Sequence, residues 1–373
     1  MIKLGSILTI TAVLLTGCTM IPEYTRPEAP VPAAWPSGPS YKETPATQGA
    51  AAAADLQWRA FFADERLQKI IDTALKNNRD LRVAALNVER ARALYRIQRA
   101  ELFPIVATDF SATKQHARIS GGTGLVTLEE YGANLGISSW EIDFFGRIRR
   151  ATEAARAEFF ASEENRNFVI QTLVTDLARA YIELRALDQQ LEISNRTVKV
   201  REESLKLVKA RFDYGWDSKT PVLMTENLVY GARAVVPDLK RAIEQKENQI
   251  SVLLGRNPGP ITRGKSLLDQ DLTVTIPPGL TSALLERRPD IRFAEQTLVA
   301  ANARIGEAKA LLFPNIRITG ASGWESAALK SLFTGPASFW DIVAPGITQP
   351  IFQAGRLRAG VRTAEAVTQE ALL

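Results

Sequence analysis

The chain has 373 residues, enough for two domains or one elongated one, and its 46% hydrophobic and 23% charged residues match a folded protein rather than a disordered or polytopic one. The 46 Lys+Arg stand against 41 Asp+Glu and lie interspersed with them along helical stretches, which excludes the segregated basic face of a nucleic-acid binder. One histidine (His116) and one cysteine (Cys18) exclude a Cys/His zinc site, a disulfide framework and a Ser-His or Cys-His nucleophile pair. With no glycine-rich phosphate loop and no convergent acidic cluster either, an enzyme is not expected.

The first eighteen residues form an address. Lys3 precedes an apolar stretch (Ile7, Leu8, Ile10, Ala12 to Leu15), too short to span a bilayer as a mature helix and of the right length for a secretory signal. Leu15-Thr16-Gly17-Cys18 resembles the lipobox of bacterial lipoproteins, in which cleavage after residue 17 leaves Cys18 as the lipid-bearing first residue. Thr19 follows where an aspartate would favour inner-membrane retention, so the outer membrane is permitted. From 18 to 54 an anchored tether is expected, because seven prolines fall between Pro22 and Pro45 and an alanine run spans 50–54. Folded sequence begins near Asp55-Leu56-Gln57-Trp58.

An internal repeat organises the rest. Asp80-Leu81-Arg82-Val83-Ala84 matches Asp290-Ile291-Arg292-Phe293-Ala294, and Leu102-Phe103-Pro104 matches Leu312-Phe313-Pro314, both at an offset of 210. Gly146-Arg147-Ile148-Arg149 matches Gly355-Arg356-Leu357-Arg358 at 209. Each copy reads as helix, strand pair, long helix: a first repeat over 55–255, a linker over 256–278 and a second repeat over 279–373.

In the first copy, Leu67, Ile70, Ile71, Ala74 and Leu75 have helical spacing, and the proline after Phe103 ends the helix. Tyr131, Ala133, Leu135 and Ile137 then alternate with Gly132, Asn134, Gly136 and Ser138, as in a strand with one apolar and one polar face. After Gly146, residues Ile170, Leu177, Leu184, Leu191, Val198, Leu205 and Phe212 step by seven; after a turn, so do Val222, Val229, Val236, Ile243 and Ile250. A sustained step of seven marks coiled-coil packing, and an unbroken helix over 146–212 would be about 100 Å long at 1.5 Å per residue. Pro237 should kink the second of these helices. Between them, Asp213-Tyr214-Gly215-Trp216-Asp217-Ser218 carries the glycine and helix-start residues of a tight hairpin, with Trp216 suited to a docking surface.

These residues resemble the outer membrane factors of the TolC superfamily, specifically OprM/NodT-type efflux lipoproteins. The stretches that carry the likeness are Asn77-Asn78-Arg79-Asp80-Leu81-Arg82, Trp140-Glu141-Ile142-Asp143-Phe144-Phe145-Gly146-Arg147, Arg287-Arg288-Pro289-Asp290-Ile291 and Pro350-Ile351-Phe352. The resemblance implies a mainly α protein with membrane β structure: a homotrimer with four strands per chain closing one twelve-stranded barrel in outer-membrane lipid, and paired long helices in the periplasm. It implies a passive exit duct fed by an inner-membrane RND pump through a periplasmic adaptor, with no cofactor beyond the lipid on Cys18. Gly215 falls on the family's first tip glycine, and Arg211, Asp213, Asp217 and Ser218 flank it as adaptor contacts. By the 209 offset a second full hairpin would end at about residue 464, roughly ninety positions past Leu373. A shortened second hairpin without its gating tip is therefore expected, with a non-conducting anchored remnant as the second functional reading.

Overall fold

The computed structural model describes residues 21–22, 24–26, 57–118, 125–269, 286–334 and 337–373. In chain order the elements are α1 (Trp58–Phe61), α2 (Glu65–Asn77), α3 (Arg79–Ala100), β1 (Val106–Arg118), β2 (Leu125–Ile142), α4 (Arg147–Asp213), α5 (Lys219–Leu253), α6 (Pro289–Ala310), β3 (Asn315–Ser326), β4 (Ser338–Thr348) and α7 (Arg356–Leu372). They form two compact units, one of residues 1–28, 88–162 and 293–373, the other of 29–87 and 163–292. Each sequence repeat thus contributes to both units. The duplication is a feature of chain order, and the packing cuts across it.

The unit of 29–87 and 163–292 is built on helix faces. Asp64 starts α2 by accepting hydrogen bonds from the N–H groups of Arg66 (2.8 Å) and Leu67 (3.4 Å). Leu67, Ile71 and Ala74 then bury one face against Leu173, Leu177, Ala180, Tyr181 and Leu184 of α4, Ile243 and Ile250 of α5, and Leu254 and Ile261 beyond it. The apolar periodicity predicts one helix up to Phe103-Pro104, but the helix breaks at Asn78. There the side chain accepts from Leu81 N–H (2.8 Å), capping α3, and donates to the Leu253 carbonyl (2.9 Å). An asparagine that can satisfy the backbone itself competes with the continuing helix.

The seven-residue pattern predicts the burial of the hairpin. Along α4, Leu191, Ser194, Val198, Leu205 and Val208 are less exposed than their neighbours, and along α5 Val222, Val229, Ile243 and Ile250 are buried. α5 continues on both sides of Pro237, which stands exposed, so the expected kink does not break the helix. Within 256–269, the described part of the expected linker, residues 261–265 are pinned to the helices. Arg263 binds Asp188 of α4 (3.1 Å) and Glu247 of α5, and Glu247 also accepts from Ile261 N–H (3.0 Å).

The other unit holds a single antiparallel sheet in the order β1-β2-β3-β4, so the two predicted strand pairs lie side by side. The buried faces of its helices are alanine-rich: Ala151, Ala154, Ala157 and Ala161 on α4, and Ala300, Ala301, Ala303 and Ala310 on α6. The start of the expected tether is held here. Asn302 donates to the Pro22 carbonyl (3.2 Å), Ile21 lies against Gly306, and Arg26 pairs with Glu295 (3.0 Å). The remainder of the tether, and Cys18 with it, lies outside the described residues.

Candidate channel wall and hairpin tip

The strand register sorts the sheet into two faces, because residues paired across strands share a face. Val106, Phe110, Leu135, Ala133 and Ile137 stand with Trp324, Ile318, Ile316, Phe339, Val343 and Ile347 on one side. Most of these large side chains are exposed in the single chain. The opposite side carries Asp109, Ser111, Thr113, Gly132, Asn134, Gly136, Thr319, Ala321, Gly323, Glu325, Ala344 and Gly346, with Val126, Leu128, Trp340 and Ile342 as its large apolar residues, so it is the more polar of the two. A register shift between Ile137 and Trp140 reverses the parity of β2, so Trp140 and Ile142 join the apolar face although their numbers are even. Reading strict alternation through 142 places them on the wrong side.

Curvature tells the faces apart independently. A Cβ added at Gly136 would lie 2.7 Å from the Cβ of Ala321, and one added at Gly132 2.7 Å from the Ser111 hydroxyl. Cross-strand Cβ atoms ordinarily stand about 4.5–5.5 Å apart. On the apolar face, a Cβ at Gly320 would find its nearest neighbour at 3.6 Å. From β1 to β3 side chains converge on the polar face, which is therefore concave, and diverge on the apolar one, which is convex; at Gly346, on the edge strand β4, an added Cβ would meet nothing within 4 Å. Trp324 packs edge-on against Phe339 and Phe333 at one end of the convex face, while Trp140, near the other, donates to the Leu102 carbonyl (3.3 Å).

The motif Trp140 to Arg147 is the joint between strand and helix. Asp143 caps α4 by accepting from Ile148 and Arg149 N–H (3.0 and 2.8 Å), and Gly146 takes the positive φ (81°) that the turn requires. Arg147 clasps Glu141 with two hydrogen bonds (2.8 and 3.1 Å), and Phe145 stacks on Phe313 from the second repeat at 4.9 Å. Gly355 repeats the positive φ (83°) before α7, but Phe352 stands where Asp143 would be and gives no cap.

At the hairpin tip, Gly215 (φ 76°) closes α4 in a Schellman turn. Trp216 N–H reaches the Arg211 carbonyl (2.9 Å) and Gly215 N–H that of Phe212 (2.8 Å). The structure brings Arg211 and Asp217 together as an ion pair (3.1 Å), puts Ser218 at the start of α5 and leaves Asp213 exposed. It adds a residue that the charged flanking set missed. Tyr214 and Trp216 are 76% and 73% exposed with ring centroids 5.9 Å apart, an aromatic pair on the outermost turn. The Tyr-Gly-Trp spacing was visible in the sequence; that both rings turn outward follows from the left-handed glycine between them.

A curved sheet with a mostly polar hollow, an apolar outer face and two unpaired edge strands in one unit, and a two-helix hairpin in the other, fit a subunit of a membrane duct. Among the described residues no helix is long and apolar enough to cross a membrane. The family model described as "Outer membrane efflux protein" matches residues 70–256 and 280–372. The chain is 42% identical to the probable efflux pump outer membrane protein TtgC of Pseudomonas putida over 359 residues, covering 95% of this chain and 73% of that protein. It is 36% identical to the outer membrane protein OprJ of Pseudomonas aeruginosa, covering 96% and 74%. Among solved structures it is similar to the open-state MtrE outer membrane channel of Neisseria gonorrhoeae, with a TM-score of 0.82, 36% identity and coverage of 95% and 77%. The CmeC channel of Campylobacter jejuni, 23% identical with a TM-score of 0.85, shares the fold. The chain belongs to the outer membrane efflux protein family and is a subunit of an outer-membrane efflux channel.

Proposed function

We propose that three copies of the chain close one barrel in the outer membrane and form a passive exit duct for drugs and small apolar organic compounds, fed by an inner-membrane pump through a periplasmic adaptor. The observation that carries this reading is the sheet. Four strands with an exposed apolar convex face and two open edges are stable in lipid only when further strands complete the ring. Efflux pump names among the relatives, including a toluene efflux pump protein of Pseudomonas putida, support the substrate class. In this reading Cys18 carries the anchoring lipid, while Arg211, Asp213, Gly215, Asp217 and Ser218, with Tyr214 and Trp216, meet the adaptor.

The test is complementation in cells that retain pump and adaptor but lack their own outer-membrane channel. Expression of the chain is expected to restore tolerance to toluene or a pump substrate drug. Trp216→Ala together with Tyr214→Ala should lower that tolerance at least about tenfold with the amount of outer-membrane trimer unchanged, since exposed aromatic anchors dominate contact energies. Cys18→Ser should abolish palmitate labelling. Trimer present in the outer membrane without any gain in tolerance would refute the duct reading.

A further inference from the structure

Asp341 is out of place. It stands on the convex apolar face of β4, between Phe339 and Val343, and its partners along the row in its own chain are Ser322, Leu135 and Thr108, none of them cationic. A carboxylate facing lipid is costly without a partner. Resting on the trimer reading above, we propose that β4 pairs with β1 of a second copy in a single register, which sets Asp341 against Lys114 of that copy.

The register follows from the strand lengths and the two faces. β4 offers the eleven residues Ser338–Thr348 and β1 the thirteen residues Val106–Arg118. In an antiparallel pair the two residue numbers have a constant sum. All of β4 finds partners only if that sum lies between 454 (Val106 with Thr348) and 456 (Arg118 with Ser338). Backbone left unpaired in lipid costs several kcal/mol per group, so full pairing decides against the others. The apolar face uses odd numbers on β4 and even numbers on β1, which makes the sum odd. Only 455 remains. It sets Pro345 against Phe110, Val343 against Ala112 and Asp341 against Lys114.

Two further observations agree with it. Lys114 already holds Glu129 of its own chain (2.6 Å), so Asp341 would complete a three-residue charge row, Glu129–Lys114–Asp341, across the boundary. The row that passes Thr108 in one copy meets residue 114 in the next, a stagger of six residues. Six residues at about 3.4 Å, against four strand spacings of about 4.8 Å, give a strand tilt of about 45°, at the upper end of the range that closed barrels adopt.

The chain carrying Lys114→Cys and Asp341→Cys, with Asp341→Cys paired instead with Ala112→Cys or His116→Cys as neighbours one step out of register, is oxidised in outer-membrane vesicles. A parallel sample of each is fixed with glutaraldehyde to report the oligomer. The expected result is a disulfide-linked trimer for 114–341 and at least about tenfold less linkage for 112–341 and 116–341, because the diagonal separation of about 7–8 Å exceeds disulfide reach. Fixed trimer with stronger linkage at 112 or 116, or with none at all, overturns the register and leaves the trimer standing. Monomer on fixation overturns both.

Discussion

Valine at Gly136 or Gly323 is expected to abolish the folded channel, whereas alanine at Gly320 is tolerated. At position 136 any β-carbon falls 2.6 Å from the Gly320 carbonyl oxygen and 2.7 Å from the Ala321 Cβ. At 323 it meets the Ala133 carbonyl oxygen and comes within 2.6 Å of the Asn134 Cβ. The obstructing atoms are backbone or β-carbons, which move only if the strands separate or the sheet flattens. Overpacking costs about 1–3 kcal/mol where a core can yield, and more where it cannot. About 3 kcal/mol already shifts a folding equilibrium roughly a hundredfold. Gly320 lies on the convex face, where a methyl group meets nothing closer than 3.6 Å. The measurement is the fraction of heat-resistant trimer in the outer membrane for each variant. Equal loss at 136, 323 and 320 would mean that curvature does not distinguish the two faces.

The second large effect is expected from a buried tyrosine network in the helical unit. The Tyr181 side chain is fully buried; its hydroxyl donates to Asp64 (3.2 Å) and accepts from Gly264 N–H (2.8 Å). Burial foremost, with the Asp64 carboxylate alongside and the Gly264 N–H opposing, holds the phenol above its ordinary range, so it remains a donor at neutral pH. Tyr181→Phe strands the Gly264 N–H and should cost about 1–3 kcal/mol. Asp64→Ala should cost about 1 kcal/mol more, since it also removes the cap of α2. Gly264→Ala should resemble them, because its Cβ would lie 2.5 Å from the Asp64 carboxylate. In thermal unfolding followed by circular dichroism, each kcal/mol is worth about 2–4 °C in a domain of this size. An unchanged midpoint for Tyr181→Phe would show that water satisfies these groups equally well.

What the sequence made legible was local or periodic. The step of seven through Leu177, Leu184 and Leu191 marked the hairpin because coiled-coil burial repeats along one chain segment. Gly215 marked the tip because only a left-handed residue closes that turn readily. The offset between Phe103-Pro104 and Phe313-Pro314 identified two strand pairs. What remained hidden depends on distant partners. Asn78 breaks a periodic helix because Leu253, 175 residues away, supplies its acceptor. Arg263 packs an apparent linker because Asp188 and Glu247 await it. The lining of the duct was hidden for a related reason. One inserted residue between Ile137 and Trp140 reverses the faces of β2, and the small residues of β1 carry too little contrast to reveal it. Only the cross-strand register shows Asp109, Asn134, Thr319 and Glu325 sharing one side.

The central claim is that the concave polar face lines water and the convex apolar face meets lipid. Single cysteines at Thr319, Ala321 and Ala344 on the first, and at Ile318, Val343 and Ile347 on the second, test it most directly in intact outer membranes. Cys18 is the only native cysteine to control for. A membrane-impermeant, water-borne maleimide is expected to label the first three and to spare the second three until detergent is added. Uniform labelling of all six, or the opposite pattern, would contradict the claim.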